Sequence, residues 1–275
     1  MIFPDVNDCN KESIDKLKVL AIIEVIFIEI VFFISAWFFQ ALYPSTYGWY
    51  SKIIMILLGL LGILIHKRLR DYGLAPKSLK FSVKWSIYII ILFTVINVAV
   101  ILVAFATGLS DLRVDLEQFF IDMVWYFIFV GFAEEFFFRG YVQSRLNEVF
   151  TKKYKKILGV DFEWSQGTLI TGIFFFGIPH ILTGINPFTG IINISLMTLM
   201  IVFFASFLGV IFGVLREKTG DITVPTILHG LIDFTVFGIG RIIGLGLSNI
   251  AAMIALFIFF ALCFERILRE PVIRQ

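Results

Sequence analysis

Long runs of apolar residues separated by short polar stretches are the dominant pattern along this sequence. Crossing the hydrocarbon core of a bilayer, roughly 30 Å thick, takes about 20 residues of helix. Eight runs approach or exceed that length: 19–43, 52–66, 82–107, 117–138, 165–184, 191–215, 222–240 and 248–264. Most of them are apolar on every side, which is typical of helices in a membrane. The pattern predicts an all-α polytopic membrane protein of about eight transmembrane helices, with residues 1–275 as one integral membrane domain.

Composition supports this prediction and narrows the possible partners. Of the 275 residues, 59% are hydrophobic and 16% are charged, whereas about a quarter of an average soluble protein is charged. The surplus of apolar side chains is expected to face a lipid bilayer. The formal net charge of +2 gives no reason to expect a nucleic-acid partner. Cys9 and Cys263 lie near opposite ends of the chain, without the spacing of a disulfide framework or a cysteine metal site.

The distribution of lysine and arginine predicts how the chain is oriented in the membrane. The N-terminal tail, the second, fourth and sixth connections and the C-terminal tail, with the helix ends beside them, carry 3, 6, 6, 2 and 3 of these residues. The first, third, fifth and seventh connections carry 1, 1, 0 and 1. Because cytoplasmic connections are enriched in Lys and Arg, both termini are predicted to be cytoplasmic.

Ionisable residues inside the predicted spans are the candidates for chemistry, because a charge in hydrocarbon is costly and usually marks a cavity, a proton relay or a catalytic site. The first span contains Glu24 and Glu29, whose role the sequence leaves open. His66 lies at a span end, where a position at the membrane interface is the simplest interpretation. The other candidates, in the fourth, fifth and seventh spans, are Glu134, Glu135, Arg139, His180, His229 and Asp233.

The two adjacent glutamates of the fourth span have different sequence neighbourhoods. Glu135 is four residues before Arg139, which favours an ion pair along the helix. Glu134 points about 100° away around the helix and has no cation three or four residues further on. Glu134 is therefore the better candidate for a reactive carboxylate, and Glu135 is expected to pair with Arg139. The alternative is that both glutamates only tie this helix to its neighbours.

The histidines of the fifth and seventh spans have different surroundings: the first lies beside a proline, and the second has an acidic partner on its own helix. Pro179 cannot donate to the carbonyl four residues before it, so the helix is expected to loosen beside His180. His229 and Asp233 are four residues apart and share one helix face. The alternative is that each histidine is a buried structural residue, and that the His–Asp pair only orients helices.

The spacing of the fourth and fifth spans also predicts a depth. If the chain turns within residues 150–163, then Glu134 and His180 lie at one level of an antiparallel helix pair. The stretch 143–156 is polar, so both helices are expected to project into the cytoplasm. We therefore expect the two side chains in the cytoplasmic half of the bilayer, beside a cytoplasm-facing cavity.

Together these residues resemble the motifs of a known family. Glu134-Glu135-xxx-Arg139, then Phe176-xxx-His180, then His229-xxx-Asp233 are similar to the three motifs of the CAAX-protease and bacteriocin-processing family, also called the Abi family. Its best-known members are the type II CAAX prenyl endopeptidases. The resemblance extends from about residue 70 to the end of the chain, with the motifs within 117–240. Each motif alone is unspecific, but the three in this order among eight spans are specific.

The resemblance implies an intramembrane endopeptidase, without a cofactor, that hydrolyses a peptide bond near the C-terminus of a prenylated CAAX-type substrate. Glu134 and His180 are then the residues that activate the attacking water. The implied partners are the lipid bilayer and a lipid-anchored or membrane-embedded peptide or protein, whose lipid stays in the bilayer while its tail enters the site. The implied location is the cell membrane, and the natural substrate stays open.

The resemblance also assigns roles to the remaining candidates. His229 and Asp233 would stabilise the oxyanion, while Glu135 and Arg139 would be structural or orient the substrate. The family often has Asn at the position of Asp233. Because an ionised Asp cannot donate a hydrogen bond, Asp233 must be protonated or act by orienting His229.

Two other interpretations fit the same residues. In a zinc-dependent intramembrane protease, Glu134, His180 and His229 would be three ligands with water in the fourth position, although the His-Glu-x-x-His signature is absent from the sequence. In a non-catalytic peptide-binding or immunity membrane protein, the same polar groups would bind a peptide without cleaving it. Metal analysis distinguishes the first interpretation, and substitution of Glu134 distinguishes the second.

Overall fold

The structure, a computed structural model, describes residues 11–44, 48–66, 71–109 and 114–273. In these ranges eight helices are long and apolar enough to cross a membrane, which confirms the predicted all-α polytopic membrane fold. They are α1 (Lys11–Leu42), α2 (Trp49–His66), α3 (Leu79–Ala106), α4 (Leu116–Val149), α5 (Gln166–Gly184), α6 (Leu196–Thr219), α7 (Thr223–Ile243) and α8 (Leu245–Arg269). Cys9 lies outside the described residues.

The helices extend beyond the apolar runs that predicted them. The helix α1 starts at Lys11 rather than at residue 19, and α4 continues to Val149 rather than ending at residue 138. Lys and Glu are good helix formers, so a helix need not end where the hydrocarbon ends. Gly244, with φ +85°, separates α7 from α8, so the last two runs are two helices as predicted.

Four of the described helices change their hydrogen-bond pattern along their length. The helix α4 consists of α-helical Leu116–Val124, π-helical Trp125–Phe132 and Glu135–Val142, and α-helical Gln143–Val149. The helix α5 passes from α-helical Gln166–Ile170 through π-helical Thr171–Gly177 to 3₁₀-helical Ile178–Gly184. In α7, π-helical Phe234–Ile239 lies between Thr223–Asp233 and Gly240–Ile243, and in α8, π-helical Phe259–Phe264 lies between Leu245–Ile258 and Glu265–Arg269. Since π-helical turns are frequent at functional sites, their position beside the motif residues of α4, α5 and α7 is notable.

Two short antiparallel hairpins interrupt the helical pattern. The strands β1 (Lys153–Ile157) and β2 (Val160–Ser165) connect α4 to α5, where the sequence predicted a simple turn between projecting helices. Leu158 and Gly159 both have positive φ, 48° and 82°, as a two-residue type I′ turn requires. After α5, β3 (Ile185–Asn186) pairs with β4 (Ile191–Ile192).

The described residues fall into two compact units. Unit 1 comprises those of Met1–Ala75 and Ala133–Ile222, and unit 2 those of Pro76–Phe132 and Thr223–Gln275. The helix α4 therefore contributes its second half to unit 1 and its first half to unit 2. The expectation of a single domain over residues 1–275 stays a prediction.

Glycines allow the helices of unit 1 to approach closely. A Cβ on Gly172 of α5 would lie 2.5 Å from the Val210 nitrogen of α6, and one on Gly209 would lie 2.6 Å from the Gly172 oxygen. A Cβ on Gly62 of α2 would lie 2.3 Å from the Tyr141 ring of α4. Close contacts at small residues are what holds helices together in lipid, where the hydrophobic effect gives little attraction between them. These contacts fix α5 against α6, and α2 against the second half of α4.

In unit 2, polar contacts and one close glycine hold α7 in place. Asn97 of α3 donates a hydrogen bond of 2.9 Å to the Thr235 hydroxyl of α7. Arg241 forms an ion pair of 3.0 Å with Asp122 of α4. A Cβ on Gly131 would lie 2.9 Å from the Thr226 oxygen, so the first half of α4 packs directly on α7.

Candidate active site

Unit 1 contains a cavity of about 310 Å³ between the end of α1, the start of α2, the second half of α4 and the end of α5. Glu134 and His180, which the sequence predicts to lie at one level, both line it. Eight of the other seventeen lining residues are aromatic, including Phe32, Trp37 and Phe138. A mostly apolar cavity with a few polar groups that face each other is the usual form of a ligand or active site.

Glu134 lies between the two π-helical segments of α4 and is 9% exposed. Its carboxylate forms an ion pair and hydrogen bond with the ammonium group of Lys52. The two residues are 82 positions apart, so the search for a cation three or four residues away could not find this partner. The sequence correctly shows no cation beside Glu134 on its own helix, and the cationic partner comes from another helix, α2.

His180 lies in the 3₁₀-helical end of α5, where the helix changes at Ile178, beside Pro179. The regular α-helical pattern thus does not continue through Pro179, although the segment is the more tightly wound 3₁₀ form rather than a loosened helix. His180 Nδ1 lies 2.7 Å from the carbonyl oxygen of Phe176, which can only accept, so Nδ1 carries the proton of a neutral ring. His180 Nε2 is then the basic nitrogen.

Glu135 and Arg139 form the expected ion pair, at 3.0 Å, and both side chains are fully buried. Arg139 also donates to the carbonyl oxygen of Gly209 in α6, at 3.2 Å. Its guanidinium carbon lies 3.9 Å from the centre of the Phe176 ring, which makes an edge contact with His180 at 5.0 Å. The motif residues of α4 and α5 thus form one packed group in unit 1.

His229 and Asp233 belong to unit 2. His229 Nε2 lies 3.4 Å from Asp233 Oδ2, as their spacing on one helix face predicts, and the side chains are 9% and 22% exposed. Gly230 beside them packs on the first half of α4, since a Cβ there would lie 3.0 Å from the Phe127 ring. Thus α7 presents a partly exposed polar pair on a closely packed helix.

The comparison with protein families gives a match to the part of the chain that holds all three motifs. The family described as type II CAAX prenyl endopeptidase Rce1-like matches residues 116–235. The match covers less than half of the chain, and residues 116–235 are called the Rce1-like region. Neither a curated protein nor a solved structure matches the chain. The eight apolar helices are those of an integral membrane protein, and the match supports a CAAX-type intramembrane protease in general.

A metal centre gains no support from the arrangement of side chains. Among the described residues, no group of three or more His, Cys, Asp or Glu side chains is placed to hold a metal ion. The zinc interpretation of the Rce1-like region, with Glu134, His180 and His229 as ligands, therefore rests on residue types alone.

Glu24, left without a role by the sequence, is the centre of a polar network in unit 1. Its Oε1 accepts a hydrogen bond from Tyr141 at 2.7 Å and contacts His66 Nε2 at 2.6 Å, and its Oε2 accepts from Arg145 at 2.8 Å. The His66 side chain is 6% exposed, so it lies inside the protein at the end of α2, and its position at the membrane interface stays a prediction. Glu29 is also buried, and its Oε1 has no hydrogen-bond partner among the described residues.

The cavity lies at the helix ends that meet the first and fifth connections. Its lining includes Tyr43 and Gly48 of the first connection, and Thr183 just before the fifth. These are connections that carry few Lys and Arg residues and are predicted to lie outside the cytoplasm. The lining therefore includes residues of connections that are predicted to lie outside the cytoplasm, and the expectations of cytoplasmic termini and of a cytoplasm-facing cavity both stay predictions.

Proposed function

We propose that this chain is an intramembrane glutamate endopeptidase that hydrolyses a peptide bond near the C-terminus of a membrane-anchored, prenylated CAAX-type substrate. The observation that carries the proposal is that Glu134 and His180, both within the Rce1-like region, line one cavity. A carboxylate and an imidazole nitrogen are suitable groups for activating water, and a largely apolar cavity strengthens their interactions with it.

In the proposed reaction, a water molecule between Glu134 and His180 is the nucleophile. The Glu134 carboxylate takes one proton as the water oxygen attacks the scissile carbonyl carbon, while His180 Nε2 accepts a hydrogen bond from the other O–H. The C–N bond then breaks, and Glu134 returns its proton to the leaving nitrogen. The products are the anchored fragment, with a new carboxyl group, and a short released peptide with a free amino group.

The negative charge that develops on the carbonyl oxygen needs hydrogen-bond donors. We assign this role to His229, with Asp233 as the residue that orients its ring. We assign a structural role to Glu135 and Arg139, because both are fully buried and Arg139 joins α4 to α6 through Gly209. The 3.4 Å contact between His229 and Asp233 supports a joint action of that pair.

The decisive experiment is mass spectrometry of peptides released by the purified protein in lipid vesicles. The substrate is a farnesylated peptide that ends in Cys, two aliphatic residues and a terminal residue, and the same peptide without the lipid is the comparison. We expect release of the terminal tripeptide from the farnesylated form, and none with Glu134→Gln. Absence of release by folded protein, or unchanged release by Glu134→Gln, would overturn the proposal.

The same assay distinguishes the two other interpretations. A zinc protease loses activity in strong chelator and contains stoichiometric metal on elemental analysis, whereas a glutamate protease keeps its activity. A non-catalytic peptide-binding protein retains the peptide intact, and Glu134→Gln leaves its binding unchanged. If the activity is lost in chelator and the protein contains zinc, Glu134 is a zinc ligand and not the general base.

The location of the termini in the cytoplasm is also a proposal, and it determines which substrates reach the cavity. In a variant without native cysteines, a cysteine at Lys152 is labelled by a membrane-impermeant maleimide from the cytoplasm and one at Pro187 from outside, if the termini are cytoplasmic. Labelling of position 187 from the cytoplasm would overturn this placement of the termini.

A further inference from the structure

Lys52 is a charged residue of the candidate site to which the sequence assigned no role. It is the fourth residue of α2, its side chain is 15% exposed, and its ammonium group is bound to the Glu134 carboxylate at the wall of the cavity. The Glu134 side chain is 11% exposed, so this ion pair is largely shielded from solvent. Such a pair holds its charges more firmly than a pair at a surface.

The pair creates a requirement for any reaction in which Glu134 is the base. A carboxylate that is neutralised by an ammonium group is a weak proton acceptor, so Lys52 has to leave Glu134 before the attack. A buried cation without a counter-ion is strongly destabilising, so Lys52 leaves only if another anion replaces the carboxylate. The lysine side chain is suited to such an exchange, because its charge lies on a flexible four-carbon stem.

The surroundings of Lys52 are favourable for an anion on a short apolar peptide. The first turn of α2 lines the cavity through Tyr50 and Ser51, and the N-terminus of a helix attracts negative charge. The aromatic side chains of Phe32 and Trp37 offer contacts for aliphatic residues. A peptide tail of three residues spans roughly 10 Å, so its carboxylate can reach the lysine from a scissile bond elsewhere in the cavity.

We propose that Lys52 determines specificity by binding the free C-terminal carboxylate of the substrate. This rests on the proposed function, in which the scissile bond lies near the C-terminus. When the tail enters, its carboxylate replaces that of Glu134 on the ammonium group of Lys52. The exchange frees Glu134 to accept the proton of water, so a substrate with the correct terminus switches on its own cleavage.

The first test measures binding without turnover. The probes are the tripeptide Val-Ile-Ala as free acid and as C-terminal amide, titrated into detergent-purified protein by calorimetry. Because hydrogen bonds to charged groups contribute more than neutral ones, the wild-type protein should prefer the acid by about 10- to 100-fold. Lys52→Met should remove the preference and Lys52→Arg should keep most of it. Lys84→Met, at a lysine paired with Glu270 in unit 2, should not change it.

The Glu134→Gln variant tests the exchange by removing the carboxylate that competes with the substrate for Lys52. Since this variant has no carboxylate to compete for Lys52, it should bind the free acid more tightly than wild type, by about tenfold. An equal preference for the acid in folded Lys52→Met and wild type would overturn the proposal. So would a weaker binding of the acid by Glu134→Gln, which also decides the matter if Lys52→Met does not fold.

Turnover separates this proposal from the proposed function. If wild type cleaves farnesylated peptides with a terminal acid and a terminal amide equally fast, the endopeptidase stands and the carboxylate site is excluded. If neither peptide is cleaved but the tripeptide acid still binds through Lys52, the carboxylate site stands and the proposed reaction is wrong.

Discussion

Half-buried Glu24 and buried Glu134 both have cationic partners in unit 1, yet their surroundings differ. Glu24 is bound by His66, Tyr141 and Arg145 at 2.6–2.8 Å, whereas Glu134 is bound by Lys52 and lines the cavity. The partners from α2, Lys52 and His66, are separated by about 21 Å of helix. The two carboxylates are therefore bound at different levels along α2.

The difference lies in the kind of donor and in what lies beside it. Arg145 and the rings around Glu24 are held rigidly: Tyr72, Tyr141 and His66 stack on one another at 6.0–6.5 Å. Burial raises the pKa of the Tyr72 phenol, so it stays protonated and continues to donate to Glu148. A carboxylate with several rigid donors has little to gain by leaving them, whereas one with a lysine and a cavity can exchange partners. Burial and pairing alone do not distinguish structure from chemistry.

The largest expected effect is the loss of turnover in Glu134→Gln. Glutamine keeps the shape of the side chain but cannot take a proton, so turnover should fall by about 10²- to 10⁴-fold. The measurement is release of peptide per folded molecule, with folding judged by thermal stability in detergent.

The matched control is Glu24→Gln, the same change at the other carboxylate. It should lower stability by about 1–3 kcal/mol, because it weakens a charged hydrogen-bond network. Turnover per folded molecule should stay close to wild type. Equal losses of turnover in both variants, at equal loss of folded protein, would mean that the two glutamates do not differ in role.

Next in size is the effect of Glu135→Gln on stability. The change leaves the fully buried Arg139 charge without its counter-ion, which costs about 3–5 kcal/mol. The double variant Glu135→Gln with Arg139→Met should regain part of this loss, because it removes the uncompensated charge. Chemical unfolding in detergent measures both. A stable but inactive Glu135→Gln, beside a partly active Glu134→Gln, would exchange the roles of the two residues.

The two histidines of unit 1 give a smaller and equally specific comparison. His180→Gln should lower turnover by about 100-fold, because glutamine cannot act as a basic partner of the water. His66→Gln should lower stability through the Glu24 network and leave turnover per folded molecule within a few fold. Turnover of both variants is compared at matched amounts of folded protein, and an active His180→Gln would remove His180 from the mechanism.

The sequence predicted the features that depend on neighbours along one helix. The eight spans follow from composition, and the Glu135–Arg139 and His229–Asp233 pairs follow from a spacing of four residues. The two-residue turn at Leu158 and Gly159, between strands of alternating residue types, was a signal for β1 and β2 that the prediction missed.

The sequence could not predict the contacts between helices. Lys52 and Glu134 are 82 residues apart, and Arg145 and Glu24 are 121 residues apart. Predicting them requires the rotation of each span about its axis, and helices that are apolar on every side carry no hydrophobic face that would reveal it. This is why the sequence assigns no chemical role to Lys52 and indicates only a position at the membrane interface for His66.

The smallest expected effect extends the comparison to the third motif. Asp233 is 3.4 Å from His229 Nε2, a looser contact than those of Glu24, and its side chain is 22% exposed. If Asp233 orients His229, Asp233→Asn should keep turnover within a few fold, because the amide oxygen accepts the same hydrogen bond and the amide nitrogen can donate to an oxyanion. Asp233→Ala should lose about tenfold more, since it removes the partner of the ring. Steady-state release of the tripeptide from vesicles compares the three proteins. An Asn variant as inactive as the Ala variant would require a negative charge at this position, and Asp233 would then act as a base or a metal ligand rather than as the residue that orients His229.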